Sequence, residues 1–281
     1  QVAQAFTELG VSKIRLTGGE PLIRTDILTL VERLGRLPGL DQLVLTTNGS
    51  QLQRMAQQLR DCGVRRINIS LDSLQPRRFR QLTRHGNLDQ VLAGIETAIA
   101  CGFERIKINA VILKGRNEDE VLDLVDYAYR RGIDIAFIEE MPLGHIVEHD
   151  RQLSFCSSAE LRAVIGRRYS MHALGDPAGS DGPARYYSLP GSTTRLGFIS
   201  PHSENFCHLC NRVRVTAEGR LLLCLGNEHS VDLRAVLRHP GFTPQALKAA
   251  IVGAMALKPE RHHFNDSSEP QIVRFMNATG G

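Results

Sequence analysis

Tryptophan is absent from these 281 residues, and the aromatic side chains amount to ten Phe and five Tyr. That scarcity argues against the stacking platforms on which single-stranded nucleic acids are bound. A net charge of +4 is also too mild for a nucleic-acid track, and better suits an anionic small molecule at a local patch. No apolar run of the roughly 18 residues a membrane span needs occurs, and there is no charged-then-apolar leader. A disulfide framework is lacking too: Cys62, Cys101 and Cys156 are scattered and read as buried apolar thiols, so a reducing, cytoplasmic setting is expected.

The rest of the composition is that of an ordinary globular protein. With 42% hydrophobic and 23% charged residues, 25 Gly and 12 Pro, the chain suits one large α/β domain with an appendage. From Ser12 to about Glu140, short β-rich runs alternate with helical patterns. The strands read as Lys13 to Thr17, Gln42 to Thr46, Arg66 to Leu71, Arg105 to Ile112 and Ile133 to Glu139. Ile27 to Leu37, Leu52 to Cys62, Leu88 to Cys101 and Glu118 to Arg131 carry apolar residues at helical spacing. Gly63, Gly102 and Gly132 close helices just before the next strand. Repeated βα units imply a parallel sheet with right-handed crossovers. Five strands are visible. Gln1 to Gly10 reads as the last two turns of a helix with no start signal, which leads us to expect sequence upstream and a sixth strand within it.

Ligands of parallel βα sheets sit at the carboxyl ends of the strands. Those ends are polar here: Arg15-Leu-Thr17-Gly-Gly-Glu20-Pro, Thr46-Thr47-Asn48-Gly49, Ser70-Leu-Asp72-Ser73, Lys107-Ile-Asn109 and Glu139-Glu140-Met141-Pro. Each glycine pair alone is explained by a turn, but five polar ends together point to a site. Two successive glycines let a ligand approach bare backbone, and the Glu20 carboxylate is a candidate to receive an ammonium group.

A third signal lies in Cys207-His-Leu-Cys210-Asn-Arg212-Val213-Arg214, followed by Cys224. A C-x-x-C pair points two thiolates at one metal centre, and a third can close a cluster face. Three cysteines leave one position open. A zinc site would fill it with His202, His208 or His229, whereas a 4Fe-4S cluster would offer it to a substrate, with Arg212 and Arg214 alongside. The spacing leaves both readings open, along with a reduced, unliganded C-x-x-C.

Thr17-Gly18-Gly19-Glu20-Pro21, Thr46-Thr47-Asn48-Gly49 and Ser70-Leu-Asp72-Ser73, taken with the cysteine motif from Phe206 through Cys224, resemble the radical S-adenosylmethionine enzymes, and within them the GTP 3′,8-cyclases of molybdenum cofactor synthesis. The resemblance spans nearly the whole chain and includes the terminal Gly280-Gly281. It implies an incomplete (β/α)6 TIM-like barrel over residues 1–144, lacking its first strand here, and a C-terminal α+β iron-sulfur and GTP-binding region over 145–281. It also implies S-adenosylmethionine at Gly19, Glu20, Ser70 and Met141, with the backbone near Gly19 and Glu20 meeting its amino group. GTP is implied at Arg15, Thr46, Lys107, Arg212, Val213 and Arg214, and a 4Fe-4S cluster on Cys207, Cys210 and Cys224 whose free iron binds the guanine.

The implied chemistry is a radical cyclisation. A 5′-deoxyadenosyl radical takes a hydrogen from the ribose C3′ of GTP, and the carbon radical then attacks C8 of guanine. No individual residue is assigned a catalytic role by the motifs. Implied partners are an electron donor such as flavodoxin and the cyclic pyranopterin monophosphate synthase, with a homodimer as the assembly. Two departures limit the match. The family's C-x-x-x-C-x-x-C loop, which holds the radical-generating cluster, occurs nowhere in these residues, so this chain alone is not expected to generate the radical. A basic residue expected shortly before Met141 is Ala136, with Arg116 or Arg185 as possible substitutes. The alternatives are another radical enzyme with an auxiliary cluster, such as a peptide maturase, or a zinc-binding scaffold.

Other features take simpler readings. Neighbours on a strand face opposite ways, so one of Glu139 and Glu140 is structural. His262-His263 beside Lys258 and Arg261 reads as a solvated helix end. Gly175 to Pro183 is turn-forming, and the βα pattern stops between Pro142 and Asp150.

Overall fold

The computed structural model describes residues 1–144, 148–175 and 183–262. The turn-forming stretch after Gly175, apart from its ends, and the Gly280-Gly281 tail lie outside the described residues. Five strands follow the βα alternation: β1 (Lys13–Leu16), β2 (Gln42–Thr47), β3 (Val64–Ser70), β4 (Arg105–Val111) and β5 (Asp134–Ile138). Each pairs in parallel with the next. Strands β6 (His172–Ala173), β7 (Arg185–Ser188) and β8 (Arg195–Ile199) come later in the chain.

The sheet order is β1-β2-β3-β4-β5-β8-β7-β6, with β8 parallel to β5 and the final pairs antiparallel. The sheet therefore runs across residue 144 without a break. Sequence reading assigned residues 145–281 to a separate C-terminal region because the βα pattern stops between Pro142 and Asp150. Strand pairing depends on edge hydrogen bonds that no local pattern reports.

Helices cover the sheet because their apolar faces have nowhere else to go. Leu52, Met55 and Leu59 from one helix and Val91, Ile95 and Ala98 from another are buried against Leu45, Ile67 and Ile69. Asn87 starts Leu88–Cys101 by accepting from the Gln90 amide, and Gly102 ends it in the left-handed conformation. No helix among the described residues is long and apolar enough to cross a membrane.

A second, smaller core lies to one side. Strands β9 (Arg214–Val215), β10 (Arg220–Leu222) and β11 (Ser230–Asp232) form an antiparallel sheet in the order β11-β10-β9. Leu221, Leu223 and Leu233 pack with Leu247, Ile251 and Ala254 of the helix Pro244–Met255, and with Ala5 and Phe6 of the helix Val2–Glu8.

Candidate active site

In a parallel sheet, residues in register share a face, so the strand rows show what looks into the concave side. Thr46, Asn68, Lys107 and Asp134 form one row, and Ser70, Asn109, Ala136 and Gly197 form the next toward the carboxyl ends. The polar strand ends are thus neighbours on one face. The alternate residues, such as Ile67, Ile108 and Ile135, are fully buried beneath the helices.

The loop after β1 is built around Glu20. Its carboxylate accepts from the Leu22 amide (3.0 Å), the Thr47 hydroxyl (2.7 Å) and the Asn48 amide (2.6 Å), tying the β1 loop to the β2 loop. The fold thus already engages this carboxylate with three donors. Gly18 has φ +136°, a conformation that L side chains rarely adopt, and the space in front of Gly18 and Gly19 is open. Ser70 is exposed at the end of β3. Two residues on, burial raises the Asp72 carboxyl to about 6, against the stabilising Val111 amide that it accepts at 2.8 Å.

Deeper in the mouth the charge is positive. Arg15 donates to the Thr46 hydroxyl at 2.9 Å. Crowding by protein, followed by the charges of Arg212 and Arg66, lowers its pKa to about 10, and Arg214 adds to this. Lys107 donates to the Tyr186 hydroxyl at 3.2 Å. Burial, then Arg15, Arg66 and Arg195, lower its pKa to about 7, with only Asp134 opposing them. A cation held in such company favours an anion beside it.

Ala136, where a basic residue was expected, is packed against β8. A Cβ on its register partner Gly197 would come within 2.9 Å of the Tyr186 ring. Each proposed substitute has a partner of its own. Arg185 pairs with Glu204 at 2.6 Å, and Arg116 lies 3.2 Å from His149. Sequence reasoning missed Arg195, which stacks on the Tyr186 ring at 4.7 Å and pairs with Asp134 at 2.7 Å. It named Asn109 only as a polar strand end; its buried Oδ1 has no hydrogen-bond partner among the described residues. The signal for both lay in strand register, which one sequence alone does not display.

The acid pair divides as expected. Glu139 is buried and accepts from the amides of Ser158 (2.8 Å) and Ser203 (3.0 Å), whereas Glu140 lies 2.8 Å from the His149 ring. Met141 follows directly, at the same end of the sheet.

The cysteine loop begins with a short 3-10 turn, Cys207–Leu209, and the Cys210 amide donates to the Cys207 carbonyl at 2.9 Å. Arg214 opens β9, and Cys224 follows β10. Burial raises the Cys210 thiol, but the Arg212 backbone amide and the charges of Arg212 and Lys258 outweigh it and leave the thiol below its ordinary value. Cys224 is raised by burial, opposed by the Gly226 amide and Lys258, with Cys207 and Cys210 as like-charged neighbours. Arg214 is lowered by burial and Arg212, and is supported by Cys210 and Cys224.

The thiols of Cys207, Cys210 and Cys224 therefore share one neighbourhood with the arginines, and Arg212 and Arg214 share another with Arg15. Among the described residues no group of three His, Cys, Asp or Glu side chains is arranged to hold a single metal ion. A cubane is a larger body, whose thiolates stand farther apart than ligands crowded about 2.3 Å from one zinc. Three free thiols ringed by cations suit an anionic thiolate cluster in their chemistry. Lys258, which the sequence reading noted only as a neighbour of His262-His263, is engaged here: its ammonium donates to the carbonyls of Leu223 (2.7 Å) and Arg212 (3.1 Å) beside Cys210.

The chain matches two family models, the radical SAM superfamily over residues 1–128 and molybdenum cofactor synthesis C over residues 133–264. It is 60% identical to a GTP 3′,8-cyclase of Pseudomonas entomophila and 57% identical to one of Marinobacter nauticus. Both alignments cover 100% of this chain and 84% of the relative. Among solved structures it is similar to Streptococcus suis SuiB bound to S-adenosylmethionine, with TM-score 0.58 and 14% identity over 99% of this chain and 68% of that one. At that identity the likeness speaks for the α/β fold alone.

Proposed function

The chain belongs to the GTP 3′,8-cyclase family of radical S-adenosylmethionine enzymes, and from that premise we propose that its basic mouth takes up GTP and positions it for conversion to 3′,8-cyclo-7,8-dihydroguanosine 5′-triphosphate, the first step of molybdenum cofactor synthesis. One observation carries the reading: Arg15 of β1 lies in the field of Arg212 and Arg214 from the cysteine loop, so barrel and loop face the same anion.

Arg15, Thr46 and Lys107 hold the nucleotide from the barrel side, while Arg212, Val213 and Arg214 reach its phosphates or base from the loop. Guanidiniums suit this task because they grip phosphate oxygens in pairs. S-adenosylmethionine lies across Gly19, Ser70 and Met141. With the Glu20 carboxylate already engaged, the backbone of Gly19 and Glu20 meets its amino group. Cys207, Cys210 and Cys224 ligate a 4Fe-4S cluster and leave one iron open to the guanine. When bound, the clusters and S-adenosylmethionine supply the one-electron chemistry that breaks the C3′–H bond and joins C3′ to C8. The protein's share is orientation and exclusion of water, since a misplaced C8 would let the substrate react elsewhere.

Residues 1–144 serve S-adenosylmethionine and 145–281 serve the cysteine-held cluster, with GTP between them. This division is one of labour within a continuous sheet. Because no C-x-x-x-C-x-x-C loop occurs in these residues, we place the radical-generating cluster outside them. An electron donor such as flavodoxin, the cyclic pyranopterin monophosphate synthase and a second copy of the chain are the proposed partners.

Anaerobic reconstitution with iron and sulfide, followed by nucleotide titration, tests the reading. GTP should bind the reconstituted protein more tightly than phosphate-free guanosine does. Equal affinity would overturn it, and so would zinc uptake without the iron-sulfur absorbance.

A further inference from the structure

The helix Pro244–Met255 packs Ile251 and Ala254 against Leu221 and Leu223, so its end is fixed beside the cysteine loop. A turn follows, in which the Leu257 and Lys258 amides donate to Ala254 and Met255, and it delivers the Lys258 ammonium into the gap between two cysteine-bearing segments. There Nζ donates to the carbonyl of Arg212, two residues after Cys210, and to the carbonyl of Leu223, immediately before Cys224. It also lies 3.9 Å from the Cys210 sulfur. Four residues on, the His262 amide donates to the Cys207 sulfur at 3.4 Å. One short segment therefore touches all three arms of the ligand set.

Among the described residues Lys258 pairs with no carboxylate. A half-buried ammonium satisfied by carbonyls is costly unless an anion lies close by, and the group placed to become one is the Cys210 sulfur, 3.9 Å away. We infer that Lys258 is a positioning residue for the cysteine-held cluster: it ties the Cys210 and Cys224 arms together and supplies the fixed positive charge against which the cluster sits. This rests on the reading that Cys207, Cys210 and Cys224 hold a 4Fe-4S cluster. The charge of a cluster's surroundings and the hydrogen bonds to its sulfurs set its reduction potential, so the tie and the charge have separable consequences.

The test uses the anaerobically reconstituted protein and its Lys258→Met, Lys258→Gln and Lys258→Arg variants. Two measurements follow the Cys224-dependent cluster: iron release to a chelator, and the reduced fraction at a fixed solution potential read by electron paramagnetic resonance. Lys258→Met should release that iron about tenfold faster, within the range seen when partners behind metal ligands are removed. Its reduced fraction should fall about tenfold in ratio, equivalent to about 59 mV for a one-electron couple. Lys258→Gln, which keeps a donor without the charge, should show the potential shift with slower iron loss than Lys258→Met. Lys258→Arg should restore the potential. If Lys258→Gln and Lys258→Met both match the parent in potential and iron retention, the inference is overturned. Should Lys258→Met fail to fold, the contrast between Gln and Arg decides alone. If the parent assembles no Cys224-dependent cluster, the reading of the cysteines fails before Lys258 is in question.

Discussion

The two sides of the mouth are built in opposite ways. On the sheet side Arg15, Thr46 and Lys107 stand on strands whose reverse faces are sealed by Leu45, Ile67, Ile108 and Ile135, so paired backbone aims each side chain. On the loop side Cys207, Cys210 and Arg212 belong to a short turn, two-residue and three-residue strands and a small core around Leu221 and Leu223. There side chains such as Lys258 do what a sheet does elsewhere. The difference teaches where each side's order comes from: strand pairing fixes the sheet side, whereas a small core and side-chain contacts such as those of Lys258 fix the loop side.

The largest effect should come from Cys224→Ala. If the loop side is the separately ordered one, this variant should lose the proposed three-thiolate cluster and the preference for GTP over guanosine, while the far-ultraviolet circular dichroism of the helix-covered sheet stays unchanged. A collapse of that signal would break the comparison. Next, Phe137→Ala removes a fully buried ring that packs on Phe198 at 6.1 Å and should cost about 3–5 kcal/mol. Leu223→Ala in the smaller core should cost about 2–5 kcal/mol. Chemical denaturation sharpens the point: one shared transition means the two cores unfold together, and two transitions mean the loop side opens first.

Lys107 gives a prediction in pH. Its amine is lowered from 10.5 to about 7 in the folded protein by burial and by Arg15, Arg66 and Arg195, against Asp134, with the Tyr186 hydroxyl as its acceptor. A depressed amine in the folded state destabilises it below pH 7, and that cost is relieved as pH rises from about 7 toward 10.5. Binding a triphosphate restores the proton. GTP affinity should therefore weaken as pH rises through about 7, with proton uptake seen by calorimetry in buffers of different ionisation enthalpy. Lys107→Met should remove both signals while leaving S-adenosylmethionine binding in place.

The smallest effect concerns Asp72, whose carboxyl is raised to about 6 by burial. The folded state binds its proton more readily than the unfolded chain, so this group's cost appears above pH 6 and fades as pH falls toward 4. Asp72→Asn keeps an acceptor for the Val111 amide and should raise Tm by about 2–4 °C at pH 8. No gain is expected at pH 4. An equal gain at both would show that the carboxyl is not desolvated.

Much of the sheet side was legible because its signals are local. Apolar spacing identified the helices, glycines marked their ends, and five polar strand ends were expected to share one mouth. The roles of particular side chains were less so. Glu20 was legible as a candidate for a ligand's ammonium, but not its contacts with Thr47 and Asn48, which come from 27 and 28 residues away at the end of β2. Lys258 drew no reading of its own, since nothing near it in sequence marks the contact with Cys210 across 48 residues.

By itself the sequence determined the βα alternation, the parallel sheet, the G-G-E-P and cysteine motifs and the family they indicate, all of which depend on residues within a few positions of one another. Only the tertiary structure decided that β8 joins β5, that Tyr186 and Arg195 line the mouth beside Ala136, that Arg15 meets Arg212 and Arg214, and that Lys258 reaches the thiols. Those contacts join residues far apart in the chain. They are set by packing and register, which bring charges together that no local pattern pairs.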